Sequence, residues 1–293
     1  MRTPAQHRKG IALMVGATLC WASAGVLVRS MQVHDGWKIT FCRSAFMTVF
    51  LLVVLSLQHR SRLPRRIHAM GWPGVVSGLL FALMFICFIL ALSRTTVANT
   101  LVVGSISPFV AALFGRMFLH ERVATRTWIA MVAAIGGIIL MFFDALAAGG
   151  WAGNLIALCI PVAFAVNVVL LRKHRAVLDL IPSILLAGLF SMLLTLPFAL
   201  PLAVSASDLG LLAGMGVFQL GLGLLLLLLA VPYLSSAEIA LLSILEIIFG
   251  VLSTWLIVGE RPGDAALAGG CVVIGALVIN QIAGLREPPG PAF

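Results

Sequence analysis

Charge is what this 293-residue chain has least of: Asp, Glu, Lys and Arg make up 10% of it, against roughly 25% in soluble globular domains. Hydrophobic residues reach 61% and mean hydropathy is +1.14, which excludes a soluble fold and marks an integral membrane protein. Long polar stretches are missing too. The longest, "QHRSRLPRRIHAM" at residues 58 to 70, leaves no room for a soluble catalytic domain. There is no HExxH, GxSxG or CxxC pattern, and His7, His34, His59, His68, His120 and His174 all fall in loops or at helix ends. The interior therefore lacks the commonest general base and metal ligand, which argues against an enzyme and against a metal site. No GxxxxGK[ST] loop is present, so gradients rather than ATP are expected to supply energy, with no cofactor. Cys20, Cys42, Cys87, Cys159 and Cys271 each fall in a different apolar window, as small packing residues.

What is present is a series of apolar windows. A membrane crossing needs about 20 mainly apolar residues, and ten such windows occur: 11–29, 36–57, 71–93, 96–118, 125–143, 152–171, 180–200, 208–230, 233–258 and 264–284. The first has the basic head of a signal peptide but a longer apolar body and no small-x-small cleavage site, and reads as a retained helix. With the N-terminus inside, the inner segments hold Arg2, Arg8, Lys9, Arg60, Arg62, Arg65, Arg66, Arg122, Arg126, Arg172, Lys173, Arg175 and Arg286, and the outer ones only Arg29, Lys38, Arg94 and Arg261. Cytoplasmic loops collect Lys and Arg. Both termini and the 58–70 loop are thus expected in the cytoplasm, and the net charge of +9 reflects topology, not nucleic-acid binding.

Setting residue i against i+139 aligns the fourth and fifth windows with the ninth and tenth, pairing Ala98 with Ala237, Leu113 with Leu252, Glu121-Arg122 with Glu260-Arg261 and Gly136 with Gly275. Five helices is an odd number, so the second copy enters the membrane inverted. The expected domains are residues 1–148 and 149–293.

Polar residues inside the windows are the candidate site. Glu246 falls near mid-bilayer, where a carboxylate costs about 2.5 to 3.5 kcal/mol on the insertion scale and must face the bundle interior or water. Three readings stay open for it: substrate or proton site, half of a buried ion pair, or a protonated hydrogen-bonding group. Arg43, within side-chain reach of mid-depth, is its candidate charge partner. Ser107 stands opposite Glu246 in the repeat alignment, and Pro108 beside it frees a backbone carbonyl. Glu238, two turns before Glu246, reads equally as a capping carboxylate favoured by the helix dipole. Trp21, Ser23, Asn99, Ser105, Asn167, Gln219 and Ser243 either line a cavity or join helices by hydrogen bonds. Phe81, Phe85 and Phe88 form an aromatic stripe or ordinary packing. The "ER" steps read as structural charges, and Gly74-x-x-x-Gly78 and Gly210-x-x-x-Gly214 as close helix contacts.

Ten helices in two halves, an "ER" step between the fourth and fifth helix of each, and Arg43 in "FCRSAF" together resemble the EamA-type branch of the drug/metabolite transporter superfamily. Within it the pattern is most similar to YddG-like aromatic amino-acid exporters of the bacterial inner membrane. The resemblance implies a central cavity lined mainly by helices 1, 3, 4, 6, 8 and 9, with 5 and 10 outside. It also implies a secondary transporter that exports small metabolites, most of all aromatic and other neutral amino acids, by alternating access. An exporter of drugs or amphipathic metabolites, or a channel-like uniporter, is the alternative. Its expected partners are the small-molecule substrate and membrane lipids, and two fused halves are compatible with a monomer.

Overall fold

The computed structural model describes residues 4–59, 68–120, 123–147, 151–173, 180–234 and 236–285, and among them every regular element is helical. Ten helices follow the ten apolar windows. They are α1 (Pro4–Arg29), α2 (Gly36–His59), α3 (Gly71–Leu92), α4 (Val97–Ser105 and Ser107–Leu119), α5 (Thr125–Ala147), α6 (Trp151–Lys173), α7 (Leu180–Ala199), α8 (Ala206–Gly214, Met215–Leu222 and Gly223–Ala230), α9 (Ser236–Ser253 and Thr254–Val258) and α10 (Asp264–Leu285). On the described residues nine are long and apolar enough to cross a membrane, and α5 contributes a shorter apolar run, Thr125–Met141. Ile129, Val132, Ile135 and Ile139 of α5 are exposed while Ala130, Ala134, Ile138 and Met141 are buried, the stripe a peripheral helix presents to lipid.

Two inverted five-helix repeats account for how the helices meet. Exchanging each helix of the first half with its counterpart five places on turns one contact into another: α3 on α6 into α8 on α1, α4 on α6 into α9 on α1, and α3 on α7 into α8 on α2. The pairs α2–α7, α5–α10 and α4–α9 map onto themselves. Backbone details repeat as well. Both α4 and α9 end on a left-handed residue, His120 (φ 55°) and Gly259 (φ 79°), which stand 139 positions apart. The first helix of each half begins with a glycine under the other half's turn: a Cβ on Gly10 would lie 2.6 Å from Tyr233, and one on Gly153 2.7 Å from the Arg94 backbone. Between helices in lipid such close approach supplies the van der Waals contact that water-driven burial supplies elsewhere.

The glycine pairs read from sequence divide. Gly78 does meet α7 closely, at Leu186 and the Ser183 carbonyl, whereas Gly210 and Gly214 face open space and make no close contact. Glu260 pairs with Arg29 of α1 at 2.6 Å, not with its neighbour Arg261, which reaches Asp264 at 3.7 Å. Glu121, Arg122, residues 60–67 of the 58–70 loop and both chain ends lie outside the described residues.

Candidate functional site

The fourth helix breaks where its sequence demands it. Pro108 has no N–H for the Gly104 carbonyl four residues back, and the helix splits at Ile106. The Ser107 hydroxyl donates to that carbonyl at 2.6 Å, and Ser105 donates to the Val102 carbonyl at 2.6 Å. The polar debt of the proline is thus settled inside the helix. The eighth helix departs from α geometry in a different way, through the π segment Met215–Leu222 that holds Gln219. Wide turns of this kind are frequent at functional sites. Here its glycines let neighbours close in. Gly216 lies against the Arg43 carbonyl of α2, and Gly223, just beyond the segment, leaves room only for the Trp21 indole of α1.

These elements enclose a central cavity of about 530 Å³. Its wall includes Trp21, Arg43, Phe81, Phe85, Phe88, Ser105, Ser107, Pro108, Phe164, Gln219, Ser243 and Glu246. Helices 1, 3, 4, 6, 8 and 9 supply most of it; α2 adds Arg43 and α10 adds Leu277 and Gln281. The last two, with Thr100 and Phe164, had no place among the sequence candidates. Apolar wall residues look like any packed core in a sequence, and Gln281, near the end of α10, looks like an interfacial residue.

The charges do not meet. Arg43 is 1% exposed, its Nη2 donates to the Phe85 carbonyl at 3.0 Å, and its guanidinium lies over the Phe85 ring at 5.8 Å. Its buried Nε has no hydrogen-bond partner. Among the described residues no carboxylate comes within ion-pair distance of it, so the pair with Glu246, one of the three open readings, is not formed. The physical reason is that Arg43 is turned onto α3, where a carbonyl and a ring face hold it. Glu246 is half-buried on the cavity wall and makes no ion pair among the described residues. Ser243 beside it back-bonds to the Ile239 carbonyl at 2.8 Å.

Four candidates lie off the wall. Ser23 donates to the Cys20 carbonyl of its own helix at 2.6 Å. Asn99 is buried with its Nδ2 3.4 Å from Thr95 Oγ1, and its Oδ1 has no partner. Asn167 is 2% exposed with Oδ1 also unpartnered. Glu238, at the start of α9, meets His7 Nε2 at 2.7 Å.

A family model described as the EamA-like transporter family matches residues 8–143 and 151–281. The chain is similar to the "Pseudopaline exporter CntI" of two Pseudomonas aeruginosa strains, 26% identical over 278 residues that make up 92% of this chain and 95% of that protein. An "Uncharacterized transporter" of Vibrio cholerae is 29% identical over 152 residues, 48% of this chain and 49% of its own length. A solved crystal structure superposes with a TM-score of 0.65 at 18% identity, covering 96% of this chain and 100% of that one, which bears on the fold alone.

Proposed function

The chain belongs to the EamA-like transporter family, and from that premise we propose that it exports amino acids, aromatic and other neutral ones first, by alternating access across the inner membrane. The family and the exporter relatives make it a transporter of small metabolites and not an enzyme. The finer reading is carried by one observation: Glu246, a carboxylate with no partner among the described residues, stands on the wall of a cavity that also carries Trp21, Phe81, Phe85, Phe88 and Phe164. A carboxylate is kept in the membrane at a cost that packing does not recover, so a ligand's cation or a proton is its natural partner. The amino group of a substrate binds at Glu246, its side chain lies among the aromatic rings, and Ser243, Ser105, Ser107 and Gln219 supply further polar groups on the wall. In this reading residues 1–148 and 149–293 exchange roles as the cavity turns from one face to the other, both termini stay in the cytoplasm, and a single chain is the working unit.

Counterflow of labelled amino acids into proteoliposomes tests this. The wild-type protein is expected to show trans-stimulated uptake, which a pore does not give. Glu246→Gln is expected to fold with an unchanged melting temperature and to lose at least about tenfold in initial rate, equivalent to about 1.4 kcal/mol of lost interaction. A stable Glu246→Gln protein with full activity overturns the assignment. The apolar wall favours a second reading, export of amphipathic drugs. Uptake of ethidium at a rate above that of any amino acid selects it.

A further inference from the structure

Resting on the export reading above, we propose that Arg43 is an anion subsite of the cavity, so that substrates bind as zwitterions with a carboxylate at Arg43 and an amine at Glu246. Arg43 is the largest of the fully buried side chains and lies on the cavity wall. A guanidinium carries five N–H donors, and the protein fills one, through Nη2 to the Phe85 carbonyl. Nε is buried and unpartnered, and the Phe85 ring offers only its face. A permanently charged group without a counter-ion is unfavourable at this depth. Glu246, on the same wall, is equally short of a partner, yet the two do not pair.

What keeps them apart is built into the backbone. The Phe85 carbonyl on α3 holds the guanidinium, and the π segment of α8 sets Gly216 directly against the Arg43 carbonyl, fixing the α2 backbone from the other side. A structural arginine is expected to find a counter-ion within the protein, as Arg29 does in Glu260, with a second donor on the Thr95 carbonyl. Arg43, on the wall of a cavity large enough for a metabolite, has no carboxylate partner among the described residues and keeps a donor unpaired. Carboxylates match a guanidinium in charge and in planar geometry, so a ligand bearing one of each charge neutralises both walls at once. An amine without an acid, or an acid without an amine, leaves one wall charge stranded.

The test uses three probes that share a phenyl ring: L-phenylalanine, phenethylamine, which lacks the carboxylate, and 3-phenylpropionate, which lacks the amine. Each competes against labelled L-phenylalanine counterflow in proteoliposomes of the full chain. Wild-type protein is expected to need at least about tenfold more of either single-charge analogue than of unlabelled phenylalanine. In Arg43→Gln the gap between phenylalanine and phenethylamine is expected to close while the gap to phenylpropionate remains; Glu246→Gln is expected to show the reverse. A merely structural arginine predicts no such crossed pattern. Should Arg43→Gln fail to fold, the wild-type competition decides alone: phenethylamine competing as well as phenylalanine overturns the anion subsite and leaves the export reading standing. No phenylalanine counterflow by wild type overturns the amino-acid reading itself, and the subsite with it.

Discussion

The two ends of the α1–α9 pair use the same chemistry and reach different results. These helices run side by side in the same direction, and a basic residue of α1 meets a glutamate at each end: His7 with Glu238 at 2.7 Å, and Arg29 with Glu260 at 2.6 Å, 22 residues further on along both chain segments. At the Arg29 end the pair also grips the turn between α3 and α4, because Arg29 Nη2 donates to the Thr95 carbonyl at 2.7 Å and Val97 N donates to Glu260 at 2.8 Å. Asp208, buried at the start of α8, likewise accepts the backbone N–H groups of Gln32 and Val33 at 3.1 and 3.0 Å. Beneath them Val28, Met31, Ile39, Ile89, Leu92 and Val97 fill the bundle. The His7 pair is the more exposed of the two, its side chains 43% and 30% exposed against 28% and 20% for Arg29 and Glu260. The cavity wall follows suit: Thr100 and Leu101 are 0% and 7% exposed, while Ile239, Ala240 and Gln281 at the other end are half-buried.

The largest expected effect follows from breaking the enclosed end. Glu260→Ala removes the Arg29 partner and the acceptor for Val97 N together, and is expected to lower stability by about 3 kcal/mol in thermal unfolding. Glu260→Gln, which keeps an acceptor, is expected to cost about half as much. If this end seals the cavity, a single cysteine at Thr100 in a cysteine-free background should react faster with an impermeant thiol reagent in Glu260→Ala than in the parent. Equal labelling would show that the clamp holds no gate. Next in size is Asp208→Ala, which strands two backbone donors and is expected to cost about 2 kcal/mol by the same measurement.

How much of this could be read from the sequence depended on which physical signal each residue carried. The ten helices were legible because twenty apolar residues in a row have few other uses, and the repeat was legible through pairs such as Gly136 with Gly275. Glu246, Gln219, Ser243, Trp21 and the Ser105–Pro108 stretch were visible as polar or helix-breaking residues at depth, and all of them line the cavity. Asn99 and Asn167 gave the same signal and lie off the wall, because an amide in the membrane specifies only that it faces protein, and helix joints satisfy that as well as a cavity does. The carbonyl freed by Pro108 was foreseen, but not that the adjacent Ser107 would answer it. The π segment of α8 left no mark beyond its glycines. The partners of Arg43, Glu238 and Glu260 belong to tertiary packing: His7 and Glu238 are 231 residues apart, and no local pattern joins them.

A double-mutant cycle sharpens the comparison further. The coupling between Arg29 and Glu260 is expected at about 1.5 to 2 kcal/mol, since the two side chains are only 28% and 20% exposed and both bind the turn between α3 and α4, whereas exposed pairs typically give about 0.2 to 1 kcal/mol.

The smallest effect is expected at the exposed end. His7→Gln removes a possible charge but leaves a side chain able to hydrogen-bond Glu238, at a position where 43% of the histidine side chain already meets solvent. Water replaces what the substitution removes, so the expected loss of stability is no more than about 0.5 kcal/mol. Salt separates the two ends independently of any mutation. Raising ionic strength from 0.1 to 1 M shortens the screening length from about 10 to 3 Å, which is expected to erase the difference between His7→Gln and wild type while leaving most of the Glu260→Ala deficit in place. If His7→Gln instead destabilises the protein as much as Glu260→Ala, and does so in high salt, then the His7 pair is as enclosed as its counterpart and the asymmetry between the two ends is lost.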